Sequence, residues 1–473
     1  MTAVHEGEPG APTVVQLARA VCSVATAGIS APAMRAAQLL LLDTIGCGIA
    51  GVHEEVAQGL ADVVLRDGAK RQCALIGRAQ RTSVLNAVLA NGVAIRVLDL
   101  NDYLIGENQG EPETAGHPSD NIPVALAVGS ERGASGADIL ATIVIGYELY
   151  ARLQHLTDRS GGWDAVTVSG LVAPAMAGRL MGLEEQSLAH ALALGAARAA
   201  TPAIVRTGHI SAAKSIANAL VAQSGVRAAF LAQAGLTGPL PILDDARGLR
   251  DLFANGDRAA LTRPIPADGA ILRAHVKAYP CVNTAQGAVA AALSLRGMMR
   301  GNLDGLVRLH IVMADYVVVK RHQEDKGRAR PSSREAADHS FPFVVAVTLI
   351  DGAFGIAQFA GERWNDAAVK TLMAKIVMSR DAALNTSALG AFPCTLRAEM
   401  ADGNVFSSAV DYPPGFSHDG PDQTAVIEKF HAVTAPHLRD DARSRIVDAV
   451  MEFPHSRSTA TLDAAIAIEG TSQ

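Results

Sequence analysis

Apolar residues recur every three to four positions through most of the first 265 residues, with short polar breaks between runs. The stretches "TVVQLARAVCSVA", "APAMRAAQLLLLDTIGCGIAG", "RTSVLNAVLANGVAIRVLDL" and "GADILATIVIGYELYARL" carry this period. So do "GLVAPAMAGRLMGL", "EEQSLAHALALGAARAA" and "AAKSIANALVAQSGVRAAFLAQAGL". Each predicts a helix, and Gly, Asp or Ser marks the stops. Near "LTRPIPADGA" the texture changes. "LVRLHIVMADYVVV" sets Val307, Leu309 and Ile311 against Arg308 and His310, the alternation of a strand, and "CTLRAEMADGNVFSSAVDY" predicts a hairpin turning at Asp402-Gly403. Helical runs "NTAQGAVAAALSLRGMM" and "FPFVVAVTLIDGAF" lie between them, and "DQTAVIEKFHAVTA" returns to helix after Pro413-Pro414-Gly415. The pattern predicts a mainly α protein. A large helical domain (1–267) is interrupted by a smaller α+β lid domain (268–415), and C-terminal helices (416–473) fold back onto the first. No period of 20 to 50 residues suggests a solenoid.

Composition narrows the function classes. Of 473 residues, 49% are hydrophobic and only 4% aromatic, which suits tightly packed helices with small residues at their crossings. A net charge of −6, with no basic stripe interleaved with aromatics, argues against a nucleic-acid partner. Five cysteines stand apart without a CxxC pair or Cys/His ligand spacing, predicting a reduced, cytoplasmic protein without structural zinc. The opening "MTAVHEGEPGAP" is unlike a basic signal-peptide start. No apolar run is read as reaching the roughly 18 residues of a bilayer span, so no membrane partner is expected. "GCGIAG" at 46–51 matches GxGxxG but follows "MRAAQLLLLDTI", a helical run, and therefore predicts close helix packing rather than a dinucleotide loop.

The candidate chemistry consists of polar residues set into apolar surroundings. In "AGHPSDNIPVALAVGS", His117 sits on backbone stiffened by Pro118, just upstream of a helix for which Asp120 or Asn121 serves as N-cap. Helical N–H groups and a positive dipole end nearby suit a substrate carboxylate, while a loop histidine bonded to its own turn is the plainer alternative. Asp99 and Asp102 in "VLDLNDYL" are spaced i, i+3, which on a helix puts both carboxylates on one face. Lys214 in "HISAAKSIANAL" opens an Ala-rich helix, where a cation is electrostatically misplaced without a nearby anion. Lys277 precedes a Tyr-Pro turn in "AHVKAYPCVNTAQ". Together these groups suit a small polycarboxylate whose reaction builds negative charge at carbon.

"LLDTIGCGIAG", "DLNDYL", "GHPSDNIPVALAVGS", "ADILATIVIGYELYARL", "GWDAVTV", "PAMAGRLMGL", "VKAYPCVNTAQGAVAAAL" and "RPSSREAADHSFPFVVAVTLIDG" occur in the order seen in the MmgE/PrpD family, which the chain resembles from about residue 13 to 460. The family includes 2-methylcitrate dehydratase, cis-aconitate decarboxylase and iminodisuccinate epimerase. The resemblance implies a helical domain split by an α+β lid, a homodimer, no metal or organic cofactor, and an active site between the domains. It also implies a cofactor-independent lyase acting on a small di- or tricarboxylate, with a dicarboxylate epimerase or a non-catalytic carboxylate-binding protein as alternatives. By resemblance, Asp99, His117, Lys214 and Lys277 are the catalytic set, with the lysines holding substrate carboxylates and Asp99 orienting or charging His117. Tyr103, Asp164, Gln286 and Phe343 fall beside the substrate. The chain departs from many relatives at Ala165 (His after "GWD"), Phe343 (Tyr) and Gln286 (His), each change removing a titratable or hydroxyl group.

Overall fold

The computed structural model describes residues 10–108, 111–158 and 162–468. The first nine residues, on which the signal-peptide expectation rests, lie outside the described residues. Helices α1 (Thr13–Cys22), α2 (Ala31–Gly51) and α3 (Glu55–Arg66) lead to a hairpin of β1 (Cys73–Leu75) and β2 (Arg78–Thr82). After α4 (Val84–Arg96) comes a second hairpin, β3 (Leu104–Asn108) with β4 (Glu111–Gly116). Helices α5 (Ile122–Arg132), α6 (Gly136–Leu156), α7 (Ser169–Leu180), α8 (Glu185–Ala196), α9 (Ala213–Gln233) and the one-turn α10 (Ala259–Thr262) follow. The next stretch runs α11 (Gln286–Met298), β5 (Leu306–Ala314), α12 (Val317–Glu324), α13 (Lys326–Ala329), α14 (Arg334–Ala337), α15 (Phe341–Asp351) and α16 (Ala367–Met373). It continues through β6 (Ile376–Asp381), β7 (Cys394–Met400) and β8 (Val405–Val410), and the chain ends with α17 (Gln423–Thr434), α18 (Asp440–Met451) and α19 (Ala460–Ile466). Helices hold 57% of the chain and strands 10%, so the protein is mainly α.

Two hydrophobic cores organise the molecule. One gathers the helices before residue 277 with α17 to α19: Phe430 of α17 lies against Gly46 of α2, where an added Cβ would come within 3.0 Å of its ring. The second gathers residues 281–398 around a four-stranded sheet of order β6-β5-β7-β8, parallel between β5 and β6 and antiparallel elsewhere. Tyr103 and Ile105 of the first part belong to this second core and bolt the two together.

The "GCGIAG" stretch closes α2, as its helical context predicts. Its glycines let α2 and α4 touch: a Cβ on Gly51 would sit 1.9 Å from the Ala94 carbonyl oxygen. By length and hydropathy α2 could cross a membrane, contrary to the expectation of no such run; 89% of that window is buried inside the helical core.

Three local expectations change. The two hairpins fall in stretches read as helical or left as gaps, and neither carries a clear period-2 pattern. Val307 points outward at 56% exposure, because the ladder shifts register between Leu306 and Arg308 and turns two consecutive residues to solvent. Val317–Val319, read as strand, instead open α12, with Val318 and Val319 buried in the second core. All five cysteines are free.

Candidate active site

Helix α4 stops at Arg96, and the chain turns sharply: Asp99 has φ +51°, a left-handed conformation that Asp tolerates better than most residues. Asp99 and Asp102 therefore do not share a helical face, as their spacing had predicted. Asp99 is buried and meets three cations. Arg96 Nη1 donates to Oδ1 at 2.7 Å, Lys214 Nζ to Oδ2 at 3.0 Å, and Lys277 Nζ to Oδ1 and, at 2.8 Å, to the Asp99 carbonyl. Burial alone would raise the Asp99 carboxyl, but Arg96, Lys214 and Lys277 together hold it well below the usual carboxylate range. These ion pairs hold the uncommon backbone conformation in place.

The β3–β4 hairpin brings His117 back to this turn, pairing Leu104 with Gly116 just before it. His117 Nδ1 lies 2.6 Å from the Asp102 carbonyl oxygen. A carbonyl can only accept, so Nδ1 carries the proton and Nε2 presents a lone pair. Nε2 is 3.9 Å from Asp99 Oδ1, too far for a hydrogen bond. The expected orienting carboxylate is thus replaced by a backbone carbonyl. Burial, then Arg96 and Lys277, hold the imidazole well below its ordinary value, so it is a neutral base. Pro118–Asn121 form a single 3-10 turn before α5, and neither Asp120 nor Asn121 caps the helix with its side chain. Asp120 instead accepts from Asn101 at 2.9 Å and faces Arg96.

Asp102 turns inward, accepting from the Ser119 hydroxyl and, at 2.9 Å, from the Tyr147 hydroxyl. Burial pushes its carboxyl up to about 7 against those two hydrogen bonds.

Lys214 opens α9 as expected, and the anions that justify a cation there belong to the protein. Its Nζ donates to Asp338 Oδ1 and Oδ2 at 2.8 and 2.9 Å as well as to Asp99. His339 Nδ1 stands 3.3 Å away and also contacts Asp338 Oδ1. Asp99, Asp338 and His339 are close enough to ligate a metal ion, their ligand atoms lying within 4.8 Å of one another. The Lys214 ammonium already bridges them, so the positive charge such a cluster requires is built into α9. Neither lysine therefore offers an uncommitted ammonium to substrate: both are nearly inaccessible and committed to Asp99.

Asp99, His117 and Lys277 line a cavity of about 410 Å³, together with Asp120, Tyr150, Asp164, Arg206, Asn283, His322, Arg328 and His339. Its walls come from both halves of the molecule. Asp164 reaches it and pairs with Arg206 Nε at 2.7 Å, and Ala165, one of the departures, lines it as well. The other sequence candidates do not line it. Tyr103 donates its hydroxyl to the Gly390 carbonyl at 2.9 Å, and Lys214 stands behind Asp99. Gln286 spends its amide on the turn before α11, accepting from the Ala278 and Tyr279 N–H groups at 3.0 Å each and donating to the Tyr279 carbonyl at 2.9 Å. Phe343, expected to face the cleft, is wholly buried in the second core between Phe359 and Trp364. Sequence reasoning passed over Arg96, Asp338 and His339. The "AADHSF" stretch carries the same signal as "GHPSD": a charged pair set directly before an apolar helix.

The MmgE/PrpD N-terminal domain matches residues 15–262, and the MmgE/PrpD C-terminal domain matches residues 279–452. The chain belongs to the MmgE/PrpD family. Cis-aconitate decarboxylase of Mus musculus is 26% identical over 439 residues, covering 88% of this chain and 86% of its own. 2-Methylcitrate dehydratase of Salmonella typhimurium is 25% identical over 451 residues, covering 88% and 89%. That of Cupriavidus necator is 24% identical over 442 residues, covering 87% and 88%. These names denote lyases.

Proposed function

We propose that the protein is a cofactor-independent lyase for a small di- or tricarboxylic acid, dehydrating a 2-methylcitrate-like substrate or decarboxylating a cis-aconitate-like one. The observation that carries the reading is His117: a neutral imidazole with its proton fixed on Nδ1 and its Nε2 lone pair at a cation-lined cavity. In dehydration, Nε2 takes a proton from carbon and the electron pair left there forms the double bond as hydroxide departs, protonated to water. The imidazolium so formed lies beside Asp99, whose carboxylate favours it. In decarboxylation the carbon–carbon pair stays on the substrate as carbon dioxide leaves, and a proton that Nε2 takes up from solvent is passed to the vacated position. Lys277 and Arg96 favour the negative charge that both routes build. The names of the relatives support these two routes, and the reading includes a cytoplasmic homodimer that works without metal.

The test is turnover of a panel of polycarboxylates with and without chelator, followed by proton NMR in heavy water. Loss of water or carbon dioxide, unaffected by chelator, is expected. Hydrogen exchange without loss of a group would make the protein an epimerase, and inactivation by chelator with rescue by one ion would overturn the metal-free reading.

A further inference from the structure

The turn between α4 and β3, which carries Asp99 and Asp102, is gripped by side chains from four distant parts of the chain. Arg334 of α14 donates Nη1 to the Val97 carbonyl at 2.7 Å, and Lys277 donates Nζ to that of Asp99 at 2.8 Å. His117 donates Nδ1 to the Asp102 carbonyl. The fourth donor comes from α17, 329 positions away: Lys429 Nζ donates to the Leu100 carbonyl at 2.8 Å. Leu100 is 1% exposed, and a buried carbonyl outside helix or sheet has to find its donor elsewhere. The same Nζ lies 2.6 Å from Oδ1 of Asp43 in α2, and both side chains are nearly inaccessible. Neither residue lines the cavity, so anything they do for the chemistry passes through the turn.

A buried ion pair seldom stabilises a fold more than apolar side chains of the same size would. What an apolar side chain cannot do is donate to the Leu100 carbonyl. Lys429 can, and Asp43 supplies the negative charge that lets an ammonium reside there. We infer that Lys429 is a positioning residue: through the Leu100 carbonyl it holds the turn in the shape that sets the Asp99 carboxylate and the Asp102 carbonyl against His117. This rests on the reading of His117 above as the base that moves the proton, and it extends the support of that base to the C-terminal helices.

Variants assayed well below their melting temperatures separate positioning from stability. Asp43→Leu combined with Lys429→Met replaces the ion pair by apolar groups and should melt close to wild type. It should nonetheless lose ~10–10²-fold in kcat with little change in KM, the scale on which a misplaced catalytic group is felt. Asp43→Asn keeps the donor to Leu100 while weakening its counter-charge; it should melt lower than wild type and keep the wild-type kcat. Should the double variant fail to fold, Lys429→Met alone takes its place in the same comparison. Nitrogen NMR of histidine-labelled protein without substrate adds a readout that needs no turnover, with His117 identified by the signal missing from His117→Ala. Wild type should show one tautomer, protonated on Nδ1, and the double variant a mixture. A folded double variant with wild-type kcat overturns the positioning role, as does a loss in Asp43→Asn as large as that of the double variant. If wild type turns over no polycarboxylate, the lyase reading fails and the spectra decide: a single tautomer kept in the double variant overturns the positioning role, and a mixture upholds it. A wild type without the Nδ1 tautomer overturns both.

Discussion

At His117 a single hydrogen bond sets the chemistry. The Asp102 carbonyl fixes the proton on Nδ1, and the depressed basicity keeps Nε2 free to accept one. His117→Ala should fold normally and lose ~10²–10⁴-fold in turnover, the usual worth of a positioned base. Because protonation removes the base, and occurs in the folded enzyme only below the ordinary value of 6.5, kcat/KM should hold through neutrality and fall only at more acid pH. Asp102 makes a second pH prediction with the opposite slope. Its carboxyl is raised from 3.8 to about 7, so between those values the folded state holds a proton that the unfolded state has released, and stability falls as pH rises. Asp102→Asn removes that contribution. Its melting temperature should gain on wild type from pH 5 to 7 and run parallel above, while a constant difference across the range would contradict the assignment. Phe343 corrects the sequence reading most sharply. Aligned with a tyrosine position of relatives, it looked like a cleft residue, yet it packs between two aromatic side chains. Phe343→Tyr should therefore cost ~1–3 kcal/mol for an unpartnered buried hydroxyl and leave the substrate profile unchanged, as a melting curve beside the substrate panel would show.

Among the elements, what was legible in the sequence depended on whether a period was long enough to read. The long helices α2, α6, α7 and α9 repeat their apolar face over three or more turns, and the β7–β8 hairpin announces itself through alternation about Asp402-Gly403. The three-residue β1 carries too few positions for any period, and β3–β4 mixes glycine, glutamate and proline, so pairing rather than side-chain pattern defines it. That hairpin nonetheless positions His117, which explains why the histidine was visible as a candidate but its partner was not. Small residues at helix crossings make a quantitative test. Gly51→Ala would drive a Cβ onto the Ala94 carbonyl and should cost ~1–3 kcal/mol or more. Gly59→Ala, on the exposed face of α3 with nothing within 4 Å, should gain ~0.5–1 kcal/mol, because alanine leaves the unfolded chain less conformational freedom to lose on folding. Thermal unfolding of the two variants side by side reads the difference directly.

For the whole molecule, the cavity exists only because two separately organised cores close on each other. The segment around α13 rests on the loop before α9: Gly208 N–H donates to Asp325, Ser333 donates to the Ile210 carbonyl at 2.6 Å, and a Cβ on Gly327 would meet the Gly208 carbonyl oxygen at 2.1 Å. Gly327→Ala should loosen this seam without touching either core, raising KM and speeding amide exchange in residues 203–211 and 325–333 at little change in melting temperature. Contacts between residues some 120 positions apart leave no local signature, which is why the sequence showed candidates on each side but not which of them meet. The central claim is that His117, held in one tautomer at this cavity, moves a proton at the carbon of a polycarboxylate. Its most direct test is proton NMR in heavy water with the polycarboxylate panel, comparing wild type with folded His117→Ala. Wild type should show either loss of water, or loss of carbon dioxide with a deuteron on the vacated carbon, and the variant neither at comparable enzyme concentration. Undiminished conversion or exchange by His117→Ala would contradict it.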